Sequence, residues 1–404
     1  MRKKIPVHNI RIGMYIQELC GSWMEHPFWK KSFLLETPED LNTLQTCGIQ
    51  EVWIDTSKGI DAEGGVATVT AKEHQQKIAE ELQLMAASPP QVIAKISIQK
   101  ELETARKLRA KSKAAVTSMF NEVRMGNAIK VSEVAPLVEE ISQSITRNPE
   151  AFLNLARLKT KDDYTYMHSV AVCALMIALG KQLGLNSADL KEVGLAGLLH
   201  DVGKMMIPED ILNKPGKLTD EEFEIVKGHP LKGWELLHSS PDITATALDV
   251  CLHHHERVDG KGYPDKLSGD KLTLFARMGA VCDVYDALTS NRCYKNGWEP
   301  ADTIRKMAEW RDGHFDERVF QAFVKTIGIY PSGTLVRLKS GRLAIVLEQT
   351  ERSLLSPVVK VFFSTKSNEP ILPETIDLSR SQESIAGAED PIKWGFDLKQ
   401  IAGI

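Results

Sequence analysis

The chain has 404 residues, of which 43% are hydrophobic and 26% are charged, and its formal net charge at pH 7 is −4. This length accommodates two or three domains, and the composition is ordinary for a soluble globular protein. A slightly acidic chain is poorly suited to bind nucleic-acid polymers without sequence preference, so we exclude that as its main function.

The six cysteines form no C-x-x-C pair and follow no regular spacing, a usage typical of a reduced, cytoplasmic protein. The amino terminus is basic, at Arg2, Lys3 and Lys4, but no apolar segment of a signal peptide follows it. The longest apolar run, residues 170–179, is too short to cross a bilayer. The sequence therefore predicts a cytoplasmic enzyme or signalling protein without a membrane span.

The first part of the chain has the mixed pattern of a small α+β domain. Short strands are predicted over residues 10–16 and 52–55, and a helix over residues 70–87. A Ser-Pro-Pro sequence at residues 88–90 breaks that helix, and a charged helix follows over residues 95–125. A dense aromatic patch predicts the core of this domain, in preference to a ligand surface: Trp23, Phe28, Trp29 and Phe33.

From residue 126 to about residue 330 the sequence predicts almost only helices. Ser187 is a predicted N-cap, and Thr219 with Glu222 forms a predicted capping box. The alternation typical of strands is scarce here, so we expect an all-α bundle. Alternation returns near residue 334 and predicts a short β-rich appendix, with strands over residues 334–338, 343–347 and 358–363.

Histidines are concentrated in the helical part, where seven of the eleven lie between His168 and His255. Asp201 ends an apolar helix, where burying a carboxylate is costly unless it is paired or bound to a metal. A structural hydrogen bond would explain a single His–Asp pair. Several histidines interleaved with aspartates in one helical domain instead indicate a hydrolytic metal site.

Three motifs carry a family resemblance: His200-Asp201, then His254-His255-Glu256-Arg257, then Asp259-Gly260 with Gly262-Tyr263-Pro264. In order, spacing and residue type they resemble the HD-GYP domain of bacterial cyclic-di-GMP phosphodiesterases. Residues 286–290 and 292–295 match the same family downstream, so that the resemblance covers roughly residues 126–331. The first 125 residues resemble a domain of unknown function that often precedes HD-GYP domains.

The resemblance implies a mainly α protein whose catalytic domain is an HD-superfamily helical bundle. We predict a small N-terminal α+β domain with a regulatory role over residues 1–125. The HD-GYP catalytic domain follows over residues 126–331, and a short β-rich C-terminal appendix over residues 332–404.

The resemblance also implies two or more divalent metal ions, commonly iron or manganese. One ion would be held by His168, His200, Asp201 and Asp283, and the other by His229, His254 and His255, with Asp201 bridging both. Imidazole and carboxylate ligands also suit nickel or zinc, so ligand type alone does not select the metal. We expect the adjacent His253 to be a neighbour of this site and not a ligand.

Asp201 and Lys204 are the predicted catalytic residues. Two divalent ions would bring four positive charges, and Asp201 with Asp283 would return two negative ones, so a bridging water should lose a proton near neutral pH. Lys204 lies three residues after Asp201, on about the same helix face. The family resemblance favours a role for it in stabilising charge on the phosphate, over that of an ordinary exposed lysine.

The predicted substrate contacts are Gly262, Tyr263, Pro264, Arg292 and Lys295. Gly260 and Gly262 could simply permit positive φ in a tight turn. The resemblance implies that the Gly-Tyr-Pro segment is a lip near the substrate and a docking surface for diguanylate-cyclase domains. Arg292 and Lys295 match positions that contact the phosphate or guanine of the substrate, and Cys293 stands where the family usually has proline.

Some family members hold a third metal through a glutamate one helical turn before the first histidine. That position here is Tyr164, four residues before His168, and a phenol with an ordinary pKa of about 10 is a poor ligand at neutral pH. Asp163 is rotated by about 100° around the helix and should point away. We therefore predict two metals, and linear pGpG as the main product, with GMP formed slowly or not at all.

The predicted activity is metal-dependent hydrolysis of cyclic di-GMP, with other cyclic dinucleotides such as cyclic GMP–AMP left open as substrates. The alternative is an inactive signalling module that binds a cyclic dinucleotide or a diguanylate-cyclase domain, and the complete set of implied ligands favours the enzyme. An HD hydrolase of free nucleotides is a weaker alternative, against which the Gly-Tyr-Pro segment speaks. The sequence also leaves a homodimer open.

Overall fold

The computed structural model describes residues 2–20, 32–46, 49–62, 69–85, 96–157, 159, 163–214, 216, 218–290, 297–350, 353–396, 398 and 401. The chain divides into two compact units, Met1–Leu82 with Ala308–Trp310 and Gln83–Met307 with Arg311–Ile404. The described residues are mainly helical, with a small sheet near each end of the chain, which confirms the predicted fold class. No helix among them is long and apolar enough to cross a membrane.

The first unit is built on an antiparallel sheet. The elements in chain order are β1 (Arg2–Pro6), β2 (Tyr15–Cys20), β3 (Phe33–Leu34), α1 (Pro38–Thr46), β4 (Glu51–Asp55), β5 (Val69–Thr70) and α2 (Ala71–Met85). The strand order is β3-β2-β4-β1-β5, and Ile5 of β1 pairs with Val52 of β4. Both side chains are fully buried, together with Ile16 and Ile54.

Two details of this unit bear on the sequence-based expectations. The strand predicted over residues 10–16 is wrong in position, since β2 begins only at Tyr15 after Gly13, at φ 94°, has turned the chain. Of the aromatic residues expected in the core, Phe33 packs against it. The other three, Trp23, Phe28 and Trp29, lie outside the described residues.

Helices make up the larger part of the second unit. They are α3 (Ile98–Arg124), α4 (Val131–Arg147), α5 (Pro149–Arg157), α6 (Tyr164–Gln182), α7 (Ser187–Leu199), α8 (Glu209–Leu212), α9 (Asp220–Lys227), α10 (His229–His238), α11 (Ala245–His253), α12 (Leu274–Thr289), α13 (Pro300–His314) and α14 (Glu317–Ile327). Helix α6 is apolar on all sides, as expected of a helix at the centre of a large core. It contacts α3, α5, α7 and α12, so the bundle is organised around it.

Capping residues explain where two of these helices begin. Asn186 caps α7, because its side chain accepts hydrogen bonds from the amides of Ala188 and Asp189. The predicted cap Ser187 is therefore wrong by one position and is the first helical residue. Thr219 and Glu222 form the predicted capping box at the start of α9.

Helix α3 was expected at the end of the N-terminal domain. It packs against α4, α5 and α6 and belongs to the second compact unit. The predicted domain boundaries at residues 125 and 331 stay predictions.

The chain ends in a second antiparallel sheet, as the sequence predicted. Its strands are β6 (Leu335–Leu338), β7 (Arg342–Glu348), β8 (Val358–Ser364), β9 (Glu369–Asp377) and β10 (Ile385–Ala388), followed by the short helix α15 (Pro391–Trp394). The strand order is β10-β6-β7-β8-β9. One face buries Val346 and Val361, and the opposite face buries Leu343 and Ile345, because apolar residues occupy both sides of the central strands.

A half-buried carboxylate joins this sheet to the helices. Glu150 of α5 accepts a hydrogen bond from the Gln349 amide at 2.6 Å, and its other oxygen contacts the hydroxyl of Ser332. The Ser332 hydroxyl also lies 2.6 Å from the Leu347 carbonyl oxygen, which can only accept. The single hydroxyl proton of Ser332 cannot be donated to both oxygens. If Glu150 is protonated, its carboxyl group donates to the Ser332 oxygen and the Ser332 hydroxyl donates to the Leu347 carbonyl, so both contacts are hydrogen bonds. Burial accordingly raises the pKa of Glu150 to about 7.

We expect Glu150→Gln to raise the unfolding temperature more at pH 8 than at pH 5. Because the pKa of Glu150 is about 7 in the fold and near its ordinary 4.5 in the unfolded chain, the folded state loses stability as pH rises between these values. The amide does not titrate and retains an acceptor for Gln349 and a donor for Ser332. Thermal unfolding at both pH values measures the difference, with Glu235→Gln on the surface as control; equal shifts at both pH values would contradict the assignment.

Candidate metal centre

Five helical segments bring the predicted metal ligands to one place in the bundle. His168 lies on α6, His200 and Asp201 follow α7, His229 opens α10, His254 and His255 follow α11, and Asp283 lies on α12. These side chains are almost wholly buried. A buried cluster of imidazoles and carboxylates is unstable without compensation of its charges, so the arrangement calls for a bound ligand or a network of ion pairs.

The cluster divides into two groups that share one residue. Potential ligand atoms lie within 4.8 Å of one another in each group: His168, His200, Asp201 and Asp283 in the first, and Asp201, His229, His254 and His255 in the second. Asp201 Oδ2 faces the first group, 3.2 Å from His168 Nε2. Its Oδ1 faces the second group, 3.2 Å from His229 Nε2. The structure thus brings together all seven predicted ligands and gives each group one oxygen of Asp201.

The outer nitrogens of three of these histidines contact backbone carbonyl oxygens. Nδ1 lies 2.8 Å from the Gly197 carbonyl oxygen in His200, 2.7 Å from that of Val226 in His229, and 3.0 Å from that of Cys251 in His254. A carbonyl oxygen only accepts, so Nδ1 carries the proton in each ring. Nε2 of each ring then points into the cluster and can bind a metal when it carries no proton, which is the arrangement that metal-binding histidines adopt.

Three of the inward-facing atoms have no protein partner of hydrogen-bond geometry. His168 Nε2, His200 Nε2 and Asp201 Oδ1 are buried and make no hydrogen bond to any described residue, although carboxylate and imidazole atoms approach within 4 Å. Lone pairs that face one another at such distances repel unless positive charge lies between them. The residues therefore fit divalent cations, and a metal ion could bind in each group.

The charges of the cluster favour cations as well. Burial would raise the pKa of Asp201, but Lys204 and His200 hold it well below its usual range, so the carboxylate is ionised. Burial opposes protonation of His200, yet Asp201 and Asp283 raise its pKa to about 10. Burial lowers the pKa of His254 to about 3, which keeps that imidazole neutral and able to bind a metal. The two carboxylates thus attract positive charge into the cavity, whether protons or metal ions.

Lys204 lies at the open side of the cluster. Its ammonium donates to Asp201 Oδ2 at 2.5 Å, and its side chain is 18% exposed. Lys204 is therefore a cation that contacts both the cluster and solvent. A group that meets an incoming phosphate is expected in such a position. Its role in catalysis stays a prediction.

The Gly-Tyr-Pro segment folds back beside the second group. The Tyr263 ring stacks on His255 with centroids 4.8 Å apart, and the Tyr263 amide donates to the His255 carbonyl. Glycine is required at the two positions for different reasons. Gly260 has φ 75°, which side chains disfavour, whereas a Cβ on Gly262 would lie 2.4 Å from the Glu256 Cα. Pro264 follows at the same edge, so the segment borders the cluster as a lip would.

The structure also shows the contacts of two further residues near the site, His253 and Asp163. His253 binds Asp249 at 2.7 Å and Asp265 at 3.1 Å and joins neither group, as expected of a neighbour. Asp163 pairs with Lys113 at 2.9 Å, on α3. Arg292, Cys293 and Lys295 lie outside the described residues, so the substrate contacts predicted there stay predictions.

Two contacts behind the cluster were missed by sequence reasoning. Asp286 Oδ2 lies 2.6 Å from His168 Nδ1, and Lys159 contacts the same carboxylate. The spacing of Asp283 and Asp286, three residues apart on one helix, could have indicated the first contact. Lys159 lies 127 residues from Asp286 and in no helix or strand, so no periodic pattern points to it.

Buried histidines and aspartates from five helical segments, in two groups that share one carboxylate, define a helical HD-type domain with a cluster able to bind metal ions. Comparison with known families agrees, since residues 139–319 match the HD domain family and residues 2–134 match a domain of unknown function, DUF3391. Cyclic di-GMP phosphodiesterase PA4108 of Pseudomonas aeruginosa is 53% identical over 399 residues, which cover 98% of this chain and 94% of that protein. The chain belongs to the HD-GYP family of cyclic di-GMP phosphodiesterases.

Two more distant relatives each match less than half of this chain. The response regulator RpfG of Xanthomonas campestris, a cyclic di-GMP phosphodiesterase, is 38% identical over 47% of this chain and 50% of its own length. The 3'3'-cGAMP-specific phosphodiesterase 1 of Vibrio cholerae is 36% identical over 41% of this chain and 38% of its own length. The relatives thus include proteins named for two different cyclic dinucleotides.

Proposed function

We propose that this protein is a metal-dependent phosphodiesterase that opens cyclic di-GMP to linear pGpG. The observation that carries the proposal is the placement of Asp201, whose two oxygens each face one complete group of ligands. The near full-length similarity to a cyclic di-GMP phosphodiesterase supports the substrate. Cyclic GMP–AMP is the second candidate substrate, because a relative is named for it.

The ligand roles follow the two groups. His168, His200, Asp201 and Asp283 would hold one divalent ion, and His229, His254, His255 and Asp201 the other. Iron or manganese is proposed first, because the family resemblance implies these ions. Nickel or zinc is proposed next, because both also accept imidazole and carboxylate ligands. Such ions supply Lewis acidity toward the phosphate and lower the pKa of bound water.

The chain's own groups do the remaining work. Asp201 and Asp283 hold the negative charge that retains cations in a buried place. Lys204, in contact with Asp201 and partly exposed, is placed to stabilise charge that develops on the phosphate. Gly262, Tyr263 and Pro264 are proposed to border the bound nucleotide, with Arg292 and Lys295 contacting its phosphate or guanine.

The proposed activity is tested by product analysis. Protein loaded with iron or manganese is incubated with cyclic di-GMP, with cyclic GMP–AMP and with pGpG, and the nucleotides are separated by chromatography. We expect cyclic di-GMP to yield pGpG. Tight binding of cyclic di-GMP without turnover under every metal would favour the inactive signalling module instead.

We expect two metal ions per chain and slow conversion of pGpG to GMP. The ring of Tyr164 stacks on His168 with centroids 5.6 Å apart, and the Asp163 carboxylate is paired with Lys113, so neither position offers a carboxylate to a third ion. A pocket with less positive charge should hold the linear dinucleotide less well for a second cleavage. Elemental analysis and a time course with pGpG measure both quantities. Three ions per chain, or rapid full conversion to GMP, would contradict this expectation.

Arg292→Ala is expected to raise KM about tenfold or more while the metal content stays that of the wild type. A lost charge-assisted hydrogen bond is worth about 1.5–3 kcal/mol, which corresponds to a factor of about ten or more in affinity. Steady-state kinetics and elemental analysis measure the two effects, with exposed Arg318→Ala as the matched control. An unchanged KM, or a loss of metal, would remove Arg292 from the substrate contacts.

The proposal extends to partners and location. The lip beside His255 is proposed as a docking surface for diguanylate-cyclase domains, and a homodimer stays open. We place the protein in the cytoplasm, since Cys173, Cys251 and Cys282 are buried thiols, as is usual in a reducing compartment.

A further inference from the structure

A lysine is fully buried behind the metal centre. The side chain of Lys159 is 0% exposed, and its ammonium contacts the Asp286 carboxylate and, at 2.8 Å, the Ser290 hydroxyl. Removing an ammonium from water costs far more than an ordinary surface pair returns, and a buried ion pair often adds nothing to stability. The pair therefore calls for a reason other than the strength of the fold.

The same carboxylate oxygen fixes a predicted metal ligand. Asp286 Oδ2, which Lys159 contacts, also accepts from His168 Nδ1 at 2.6 Å. On the other side of the ring, His168 Nε2 faces Asp283 Oδ1 at 2.9 Å and makes no hydrogen bond. A carboxylate that orients the outer nitrogen of a metal-binding histidine sets the direction in which the inner nitrogen points.

The His168 ring is contacted on its face as well as at its Nδ1 edge. The Tyr164 ring stacks on it with an interplanar angle of 10°. The Lys159 ammonium lies 5.7 Å from the centroid of that tyrosine ring. Lys159 thus contacts both side chains that fix the His168 ring, the carboxylate at its edge and the phenol ring on its face.

We propose that Lys159 is a positioning residue of the metal centre, which holds Asp286 and Tyr164 in place so that His168 Nε2 is directed at the first group of ligands. The proposal rests on the metal-dependent function proposed above. It distinguishes the two groups: the first, which contains His168, depends on Lys159, whereas the second, built on His229, His254 and His255, does not. Outer partners of metal-binding histidines change metal affinity by about 10- to 100-fold, which sets the expected effect.

The test uses Lys159→Met in the full-length chain, with Lys113→Met as the matched control. Lys113 also pairs with a buried aspartate beside α6, Asp163, but does not contact the His168 ring's partners. Each variant is titrated with Mn²⁺ alone, with bound metal counted by elemental analysis and the pair followed by electron paramagnetic resonance. The unfolding temperature of each metal-free protein is measured in parallel.

We expect wild type and Lys113→Met to bind two Mn²⁺ ions and to give the spectrum of a coupled pair. Lys159→Met should bind one ion at wild-type affinity and the other at least about tenfold more weakly, with the spectrum of an isolated ion at intermediate concentrations. A lowered unfolding temperature with both affinities unchanged would show a merely structural lysine and overturn the proposal. If Lys159→Met does not fold, Lys159→Met combined with Asp286→Asn removes both buried charges, and wild-type affinity for both ions in that variant would equally overturn it. Failure of the wild type to bind Mn²⁺ would instead count against the proposed metal-dependent function and this inference together.

Discussion

Asp201→Ala is expected to lose both metal ions and the phosphodiesterase activity together. Oδ1 and Oδ2 of this carboxylate face different groups, each 3.2 Å from a histidine Nε2, so one substitution removes a ligand from both. It also leaves the ammonium of Lys204 without its closest negative charge. Metal ions contribute several kcal/mol of charge stabilisation in such reactions, which corresponds to a loss of about a thousandfold or more in kcat/KM.

Elemental analysis and product assays on the same preparation measure both losses. Exposed Asp210→Ala serves as a control for the removal of a nearby negative charge, and we expect it to retain two ions and full activity. Two ions retained by Asp201→Ala would refute the shared carboxylate.

Gly203→Ala is expected to destabilise the protein severely and to displace the second group of ligands. A Cβ on Gly203 would lie 2.0 Å from the His229 carbonyl oxygen and 2.5 Å from the Gly233 nitrogen. Both are backbone atoms, so no side chain can move aside, and α10 must shift away together with His229. Overpacking of a well-ordered core costs about 1–3 kcal/mol and sometimes more, and the upper end applies here.

Urea unfolding and metal content measure the two effects of Gly203→Ala. Gly387→Ala in β10 is the matched control, since a Cβ there has no atom within 4 Å. An unfolding midpoint equal to that of the wild type, with two ions bound, would show that α10 tolerates the methyl group.

The seven predicted metal ligands followed from the family resemblance, whose motifs are local in the sequence, and the helical bundle followed from local patterns. His200-Asp201 and His254-His255 are adjacent pairs at helix ends, and their order and spacing survive in the sequence as motifs. Helix α6 was predictable because a long apolar segment without strand-like alternation or proline has few other structures open to it. The C-terminal strands were predictable from the return of alternation.

The contacts that were not predictable depend on tertiary structure or on one backbone angle. Lys159, which lies in no helix or strand, meets Asp286 only through the tertiary structure, 127 residues away along the chain. Asn186 and Ser187 are both able to cap a helix, and only the extended backbone of Asn186, at ψ 170°, decides between them. Gly262 is required by the approach of the Glu256 backbone, which the sequence cannot show.

The C-terminal sheet has consequences for how copies of this chain can associate. Strand β9 lies at one border of the sheet, where unpaired backbone amides would ordinarily invite a strand from another molecule. Pro370 and Pro373 lie within it, and proline has no amide hydrogen to donate. The opposite border, β10, has only four residues and an irregular register with β6. Both borders are therefore blunted against intermolecular β-pairing, so association of two copies through this sheet would have to use its side-chain surfaces and not its backbone amides.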